Sequence, residues 1–358
     1  MLDLSGIRSV GGQVRSLNTM SAAEQSAVLE DVRASAKRIF DLVSSELELV
    51  EEEFERQARS NIQVIAYIGE HLRRSGGKRV RPALTILSNY AAGGDGSNYG
   101  SIRMATVMEF LHTATLVHDD VIDRAATRRN RPSINSEFGN QTAVLMGDWL
   151  YMSAFETSLA ERSLAILDIL TAVTRKMTEG ELLQLTLLGR TDISEEQYFD
   201  VIARKTAYLF SACCEIGALL GKSNPEMQNM LRDYGMNLGI AFQLVDDLLD
   251  FTSTEDVLGK PAGADLVEGK VSLPLIFLLQ REPEMRADIQ TVISEGRYES
   301  ISRGHLLAAL ERTGALKLAH DRAIEYASAA QAAIEELPDS PYAQVLSSIP
   351  AYIVERDR

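Results

Sequence analysis

Apolar residues recur at three- and four-residue spacing along almost the whole of this chain, which is the period of an α-helix packed on a core. Leu42, Val43, Leu47 and Val50 form an early example. Similar runs occupy residues 104–123, 143–159, 164–188, 195–220, 227–251 and 272–279. Strands would show alternating apolar and polar residues between hairpin turns, and we find no such runs. The sequence predicts an all-α fold, a large helical bundle whose ligand site lies between facing helices around a central apolar cavity.

The length of 358 residues and a hydrophobic content of 45% allow a large buried core. No stretch rich in proline and serine divides the chain into parts of different composition. We therefore predict one catalytic domain over residues 31–358, preceded by a loose extension over residues 1–30. A loop is predicted at residues 91–100, and the glutamates 51–53 are interpreted as a solvated helix face.

The formal net charge is −15, which argues against nucleic acid as a partner and against electrostatic docking on anionic lipid. Residues 1–20 lack the apolar core of a signal peptide, and no apolar stretch is long enough to span a membrane. These features predict a cytoplasmic protein without an integral membrane segment, and they leave room for peripheral membrane contact. Cys213 and Cys214 are neighbours in a helical run, so we predict two buried thiols and no disulfide.

Aspartates interrupt two of the apolar helical runs. Each interruption has the pattern Asp-Asp-x-x-Asp: the first contains Asp119, Asp120 and Asp123, and the second contains Asp246, Asp247 and Asp250. Residues four apart lie on one helix face, about one turn from each other. Clustered carboxylates repel each other unless a cation is bound, and Mg²⁺ combines one or two carboxylates with water and phosphate oxygens. Two such motifs in apolar helices predict a metal site across a cavity, although one motif alone is equally typical of a solvated face.

Basic residues cluster near both motifs. The segment GGKRVRP (residues 76–82) places three cations at a helix entrance, where free backbone N–H groups favour anions. Further cations follow the first motif or surround the second, namely Arg128, Arg129, Arg204, Lys205, Lys260 and Lys270. The grouping predicts two diphosphate sites, one bridged to metal and one held by lysine and arginine alone.

The segments GGKRVRP, LVHDDVID, TRRNRP, ARKTAYLF, GIAFQLVDDLLDFT and LGKPAGADLVEGKVSLPL, in this order, resemble the motifs of trans-isoprenyl (polyprenyl) diphosphate synthases, and the resemblance spans roughly residues 60–280. It implies an isoprenoid-synthase helical fold and a prenyltransferase that joins isopentenyl diphosphate to an allylic diphosphate. It also implies Mg²⁺, three ions per active site, and a homodimer.

The resemblance assigns roles residue by residue. The catalytic residues it implies are Asp119, Asp120, Asp123, Asp246, Asp247, Asp250 and Lys205. The implied metal ligands are Asp119, Asp123, Asp246 and Asp250. Binding of the allylic diphosphate falls to Arg128, Lys205, Thr206, Gln243 and Lys260. Binding of isopentenyl diphosphate falls to Lys78, Arg81, His112 and Arg129, and without the motif His112 is more typical of a core histidine.

Product length is expected to depend on the helix turns that precede Asp119. Ala114 and Thr115 lie about one turn upstream and Leu111 about two turns upstream. Short-chain members of the family often carry bulky aromatic residues there, whereas small residues let the growing chain pass. Since one turn rises about 5.4 Å, close to one isoprene unit, we expect a product of about six to ten units, typical of quinone side chains.

Four alternatives differ in sequence features. A synthase of farnesyl or geranylgeranyl diphosphate would normally have bulk upstream of Asp119, which Ala114 and Thr115 argue against. A class I terpene cyclase would normally lack the second aspartate motif and the GGKRVRP segment. A non-catalytic regulatory subunit of such a synthase would have lost aspartates or basic motifs. A purely structural helical protein gives no account of six aspartates in apolar helices.

Overall fold

The computed structural model of the protein describes residues 40–74, 79–96, 99–128, 131–253 and 262–355, with only the backbone for residues 71–74. Its helices, numbered here in chain order, are α1 (Ser44–Gln57), α2 (Gln63–Arg74), α3 (Val80–Ala91), α4 (Gly100–Ile122), α5 (Ile134–Phe138), α6 (Asn140–Ser158), α7 (Leu164–Leu187), α8 (Glu195–Ile202), α9 (Tyr208–Leu220), α10 (Pro225–Thr252), α11 (Ala264–Val267), α12 (Leu273–Arg281), α13 (Arg286–Glu295), α14 (Arg303–Arg312), α15 (Ala315–Ala333) and α16 (Pro341–Val354).

Three shorter helical turns join these elements. Leu159–Glu161 and Pro283–Met285 are 3₁₀ turns, and Ala203–Ala207 is a π-helical turn between α8 and α9. Two two-residue strands, β1 (Thr127–Arg128) and β2 (Arg131–Pro132), pair antiparallel after α4. The sequence did not predict these strands, which are too short to produce an alternating pattern.

Several helices begin where local sequence supplies a cap for their free N–H groups. The hydroxyl of Ser194 accepts from the N–H of Gln197, whose side chain accepts in return from the N–H of Ser194, so α8 begins with a capping box. The Oδ1 of Asn224 accepts from the N–H of Met227 at the start of α10, and Pro225 occupies the first position of that helix.

The helices that carry the two aspartate motifs, α4 and α10, are both packed against α9. Helix α9 is buried along most of its length, and it approaches its neighbours closely because of glycine. A Cβ at Gly217 would lie 2.4 Å from the carbonyl oxygen of Thr85, and one at Gly235 would lie 2.5 Å from that of Phe210. Close packing therefore joins α9 to α3 and to α10, the helix of the second motif.

The all-α prediction is confirmed, and the free, buried state of Cys213 and Cys214 agrees with the sequence. The loop prediction holds where it is described, since α3 ends at Ala91 and α4 begins at Gly100. The extension over residues 1–30 lies outside the described residues, so the domain boundary stays a prediction. Within the part of the chain that the structure describes, no helix is both long and apolar enough to cross a bilayer.

The interpretation of residues 51–53 as a solvated face is wrong for Glu53. Its side chain is buried and accepts hydrogen bonds from Arg56, Gln57 and Tyr99. Glu51 pairs with Arg79 across the fold. The charge of Glu53 is therefore compensated within its own helix by Arg56, and that of Glu51 by a residue 28 positions away.

Candidate active site

A cavity of about 760 Å³ lies between α3, α4, α7, α8, the π turn, α10 and the segment before α12. Apolar wall residues, such as Leu116, Leu187 and Phe242, alternate with charged ones from both aspartate motifs and from the cationic segments. The cavity therefore brings together motifs that are more than a hundred residues apart in the chain.

The first motif presents its aspartates in three different settings. Asp119 lines the cavity, and burial raises its pKa to about 6, although the Lys205 ammonium acts in the opposite direction. Asp120 is buried, and its Oδ1 accepts a 2.7 Å hydrogen bond from Nε of Arg128. Asp123 directly follows the helix and is not among the lining residues, but its Oδ2 lies 3.2 Å from Nζ of Lys270, which lines the cavity.

The second motif divides in a similar way. Asp246 and Asp247 line the cavity. Burial, followed by the charge of Asp265, raises the pKa of Asp247 to about 7. Asp250 is fully buried, is not among the lining residues, and its Oδ2 accepts a 3.3 Å hydrogen bond from the N–H of Asp265. The structure therefore does not bring Asp250 to the cavity, where its predicted role as a metal ligand requires it.

The π turn carries Lys205 and Thr206 into the cavity wall. Insertions of this kind are frequent at functional sites because they reorient side chains within a helix. The Nζ of Lys205 lies 2.5 Å from Oε2 of Glu181 and 3.1 Å from Oε1 of Gln184, both on α7. Helix α7 comes this near because Gly180 has no side chain, since a Cβ there would lie 2.6 Å from Cβ of Arg204.

A chain of hydrogen bonds connects the π turn to the second motif. The hydroxyl of Thr206 donates to Oε1 of Gln243 at 2.8 Å, and Nε2 of Gln243 donates to Oδ1 of Asp247 at 2.8 Å. Tyr198 donates to the other carboxylate oxygen, Oδ2, at 2.6 Å. The orientations of Gln243 and Asp247 are therefore fixed by three different elements.

The cations of the GGKRVRP segment take different positions. Arg81 lines the cavity with its guanidinium 4.9 Å from the centre of the Phe210 ring. Arg79, in a left-handed conformation just before α3, pairs with Glu51 and with the buried Glu109, whose Oε1 lies 2.6 Å from Nη1. Arg79 therefore neutralises carboxylates, whereas Arg81 faces the space where a ligand would bind.

The remaining predicted residues separate into two groups. His112 and Thr115 line the cavity, whereas Ala114 and Leu111 are fully buried in the core beside it. Lys78, Arg129 and Lys260 lie outside the described residues.

Sequence analysis missed four residues that shape this site. Asp265 and Tyr198 line the cavity beside Asp247, and Glu181 and Gln184 contact Lys205. Asp265 follows Gly263 in a segment without helical periodicity, and the others occupy ordinary helix positions. For Asp265 the signal in the sequence is its place in LGKPAGADLVEGKVSLPL, which resembles a motif of the family, and for the other three it is a polar side chain in a helical run.

The lining residues fit a divalent metal ion. Carboxylates of facing helices meet at one cavity, and burial disfavours the ionised form of Asp119 and of Asp247 unless a cation is present. Within the described ranges, no three carboxylate, histidine or thiol groups are arranged as a complete metal site. Mg²⁺ keeps water and substrate phosphates in its coordination sphere, so single carboxylates such as Asp119 and Asp246 on facing helices suit this ion.

Comparisons with known proteins agree with this geometry. A family model for polyprenyl synthetase matches residues 62–307, so the chain belongs to the polyprenyl synthetase family, as its motifs predicted. The chain is 38% identical over 323 residues to octaprenyl diphosphate synthase of Escherichia coli (strain K12), which covers 90% of this chain and 99% of that protein.

Two solved structures are closely similar. A polyprenyl synthase from Caulobacter crescentus CB15, complexed with calcium and isoprenyl diphosphate, superposes with a TM-score of 0.86 at 34% identity, covering 90% of this chain and 98% of that one. A decaprenyl diphosphate synthase from Rhodobacter capsulatus superposes with a TM-score of 0.84 at 35% identity, covering 90% and 99%. The expected isoprenoid-synthase bundle is confirmed by these likenesses.

Proposed function

We propose that this protein is a trans-polyprenyl diphosphate synthase of the long-chain type, which condenses isopentenyl diphosphate head-to-tail with an allylic diphosphate. The observation that carries the proposal is the convergence of both aspartate motifs and the cations Arg81, Arg128 and Lys205 on one cavity. Its apolar walls suit a hydrocarbon chain, and its charged wall suits diphosphate.

Mg²⁺ is the proposed cofactor, three ions per active site, held by Asp119 and Asp123 on one side and by Asp246 on the other. Asp265 is added to this set because it lines the cavity beside Asp247. Asp123 keeps its proposed role because it pairs with the lining residue Lys270, whereas the fully buried Asp250 is assigned to hold the backbone of Asp265. When bound, Mg²⁺ neutralises negative charge that develops on the departing diphosphate. The Caulobacter crescentus relative, solved with calcium and isoprenyl diphosphate, supports a divalent cation at such a site.

The allylic diphosphate is proposed to bind between Arg128, Lys205, Thr206 and Gln243. Arg128 is oriented by Asp120, and Lys205 by Glu181. Both cations are therefore held in place by carboxylates before a ligand arrives, and fixed donors stabilise developing charge better than mobile ones.

Isopentenyl diphosphate is proposed to bind at Arg81 and His112 on the same cavity, joined by Lys78 and Arg129. No carboxylate motif is required for this part of the site. The stacking of Arg81 on Phe210 fixes the guanidinium plane, which suits a diphosphate bound without metal.

The reaction follows from this arrangement. The carbon–oxygen bond of the allylic diphosphate breaks, diphosphate departs, and an allylic cation remains. The double bond of isopentenyl diphosphate attacks that cation, a carbon–carbon bond forms, and a proton is lost to the departed diphosphate. Leu116, Leu187 and Phe242 exclude water, which would otherwise capture the cation.

A long product is favoured by the small residues before Asp119. Thr115 already lines the cavity, and Ala114 behind it adds little bulk between α4 and its neighbours. The relatives named for octaprenyl and decaprenyl products make long chains of the kind attached to quinones, and we propose the same use here. The expected location is cytoplasmic.

A homodimer is proposed through an exposed apolar surface on α6 and α7. Leu145, Met152 and Leu159 lie seven residues apart, so they share one side of α6 and its extension, and each is 48–68% exposed. Leu182 and Leu185 on α7 are exposed as well. We name these five residues the apolar stripe, and a second copy of the chain would cover it.

The deciding experiment incubates the purified protein with farnesyl diphosphate, labelled isopentenyl diphosphate and Mg²⁺, and sizes the extracted products by chromatography. A ladder ending at one long product, abolished by a chelator, is the expected result. Products that stop at geranylgeranyl diphosphate would overturn the long-chain assignment. Absence of incorporation with any allylic primer would favour a regulatory subunit.

A further inference from the structure

Residues 262–270, here named the strap, contain α11 and contact the end of α10 at Asp250. It carries Asp265 and Lys270 into the cavity lining, and Nζ of Lys270 lies 3.2 Å from Oδ2 of Asp123. A single short segment therefore contacts the first motif through Lys270 and faces the second through Asp265. Its position matters for both halves of the proposed metal site.

Asp250, near the end of α10, accepts two hydrogen bonds from the backbone of the strap. Its backbone oxygen accepts a 2.8 Å hydrogen bond from the N–H of Gly263, and its Oδ2 accepts from the N–H of Asp265. The last aspartate of the second motif therefore affects the cavity indirectly, because it holds the backbone that carries Asp265.

Tyr298, between α13 and α14, also contacts the backbone of the strap. Its hydroxyl donates a 2.9 Å hydrogen bond to the carbonyl oxygen of Gly263. Gly263 has a φ of +77°, and a Cβ there would lie 2.5 Å from the Tyr298 hydroxyl oxygen. The tyrosine therefore rests directly on the strap backbone, and neither residue lines the cavity.

Arg303, the first residue of α14, fixes the end of α10. Its guanidinium donates to the carbonyl oxygens of Phe251 and of Ser253, the latter at 3.1 Å. These carbonyls belong to the last turn of the helix, where such groups lack helical partners and a positive charge is favourable. Arg303 therefore holds the helix end immediately after Asp250.

We propose that Tyr298 and Arg303 are positioning residues of the metal–diphosphate site, which hold the strap in the place that lets Asp265 and Lys270 act. This inference rests on the proposed function. Small displacements of groups that position a substrate can lower rates by about 10²-fold. Binding of isopentenyl diphosphate uses Arg81 on α3 and His112 on α4, which are outside the strap, so it should not depend on Tyr298.

The test measures binding, so it does not depend on turnover. Farnesyl thiodiphosphate, an allylic analogue that reacts very slowly, is titrated into the full-length protein by calorimetry at a series of Mg²⁺ concentrations. For Tyr298→Phe we expect the Mg²⁺ concentration that gives half-maximal binding to rise about fivefold, the effect of one hydrogen bond. Binding of isopentenyl diphosphate without Mg²⁺ should stay unchanged.

Tyr342→Phe is the matched control, because Tyr342 stacks on Tyr90 in another part of the bundle and also loses one hydroxyl. Its Mg²⁺ dependence should equal that of the wild type. Arg303→Lys keeps the charge but loses the two-carbonyl contact, and it should resemble Tyr298→Phe while its thermal unfolding reports whether the fold is intact.

A double-mutant cycle distinguishes a specific role of Tyr298 in positioning the strap from a general destabilisation of the fold. If Tyr298 acts through the strap, Tyr298→Phe should change Mg²⁺ dependence little when Asp265→Asn is already present. The inference would be overturned if the effects of Tyr298→Phe and Asp265→Asn on Mg²⁺ dependence were additive. It would also be overturned if the Mg²⁺ dependence of Tyr298→Phe equalled that of the wild type. A wild type that binds no thiodiphosphate with Mg²⁺ would instead overturn the proposed function.

Discussion

The cavity carboxylates are held in surroundings that disfavour their charge. Burial raises the pKa of Asp119 to about 6 and that of Asp247 to about 7, so at neutral pH ionised Asp119 destabilises the metal-free fold. Residues retained at such positions are typical of functional sites. Replacing them should therefore affect activity and stability in opposite directions.

Asp119→Ala and Asp246→Ala should each lower turnover by about 10³-fold, because each removes a group that holds charge-neutralising cations. The midpoint of thermal unfolding of Asp119→Ala, without metal, should equal or exceed that of the wild type.

Asp250→Asn, which keeps an oxygen for the N–H of Asp265, should lose less activity than Asp119→Ala or Asp246→Ala. Near-normal turnover in Asp119→Ala or Asp246→Ala would disprove their assignment as metal ligands.

Glu53 offers a test of stability and pH. Burial raises the pKa of this carboxyl, but hydrogen bonds from Gln57, Arg56 and Tyr99 outweigh burial and leave the pKa below its ordinary value. A lowered pKa means that the folded protein favours the ionised form, so the stabilisation is present above the unfolded-state pKa and is lost as pH falls through the folded-state pKa.

Glu53→Gln should therefore lower the free energy of unfolding by about 1–2 kcal/mol at pH 7. The difference from the wild type should shrink as pH falls below roughly 4, the ordinary range for glutamate. Urea unfolding at several pH values measures this. The exposed neighbour serves as control, since Glu52→Gln should change little. A difference that stays constant down to pH 3 would contradict the charge-based account.

At the scale of elements, the π turn determines which face of the helix between α8 and α9 reaches the cavity. It places Lys205 opposite Glu181 and Thr206 opposite Gln243. The close approach of α7 at Gly180 makes the contact of Lys205 available, and that of α10 at Gly239, where a Cβ would lie 2.6 Å from Cα of Ala207, makes the contact of Thr206 available. Glycine usually destabilises the interior of a helix. Its presence at position 180 is explained by the close packing of α7 against the π turn.

Gly180→Ala should destabilise the protein by about 1–3 kcal/mol, although alanine is the better helix former. The added Cβ would lie 2.6 Å from Cβ of Arg204 and 3.1 Å from N of Lys205, so the π turn must move. We expect KM for the allylic diphosphate to rise about tenfold, since Lys205 loses its place. Steady-state kinetics and thermal unfolding measure both effects.

Gly69→Ala is the control for this substitution. Gly69 lies within α2, and a Cβ there would make an ordinary 3.4 Å contact with Ala58. It should leave KM unchanged and should not reduce stability. An increase of KM in Gly69→Ala equal to that in Gly180→Ala would remove the π turn from the explanation.

At the scale of the whole molecule, the apolar stripe lies on two helices that also support the cavity. Helix α6 packs on α4, which carries the first motif, and α7 contacts Lys205. A partner that covers the stripe would therefore stabilise both walls of the active site. Exposed apolar surface of this kind is uncommon on monomers and typical of an interface.

Leu145→Glu combined with Met152→Glu should convert a dimer into a monomer, because two charges would be buried without partners. Light scattering during size-exclusion chromatography gives the mass. Ile324→Glu is the control, since Ile324 is an exposed apolar residue of α15, outside the stripe. A monomeric wild type at micromolar concentration would contradict the proposed homodimer.

The meeting of both motifs with Lys205 and Arg81 was predicted from the grouping of basic residues and from the family resemblance. Helical periodicity and the spacing of the aspartates were sufficient to predict the all-α fold, the positions of most helices and a carboxylate face on two of them. These features are readable because they repeat at fixed spacing within single helices, where the geometry of 3.6 residues per turn applies.

The tertiary structure alone decided which motif members face the cavity. Asp246 reaches it and Asp250 does not, although both belong to one motif, and Asp265 arrives from a segment without periodicity. Hydrogen bonds from Tyr99 to Glu53, from Tyr298 to Gly263 and from Arg303 to Phe251 join residues about 35 to 52 positions apart. Local spacing carries no information about such pairs, because they depend on how whole helices pack.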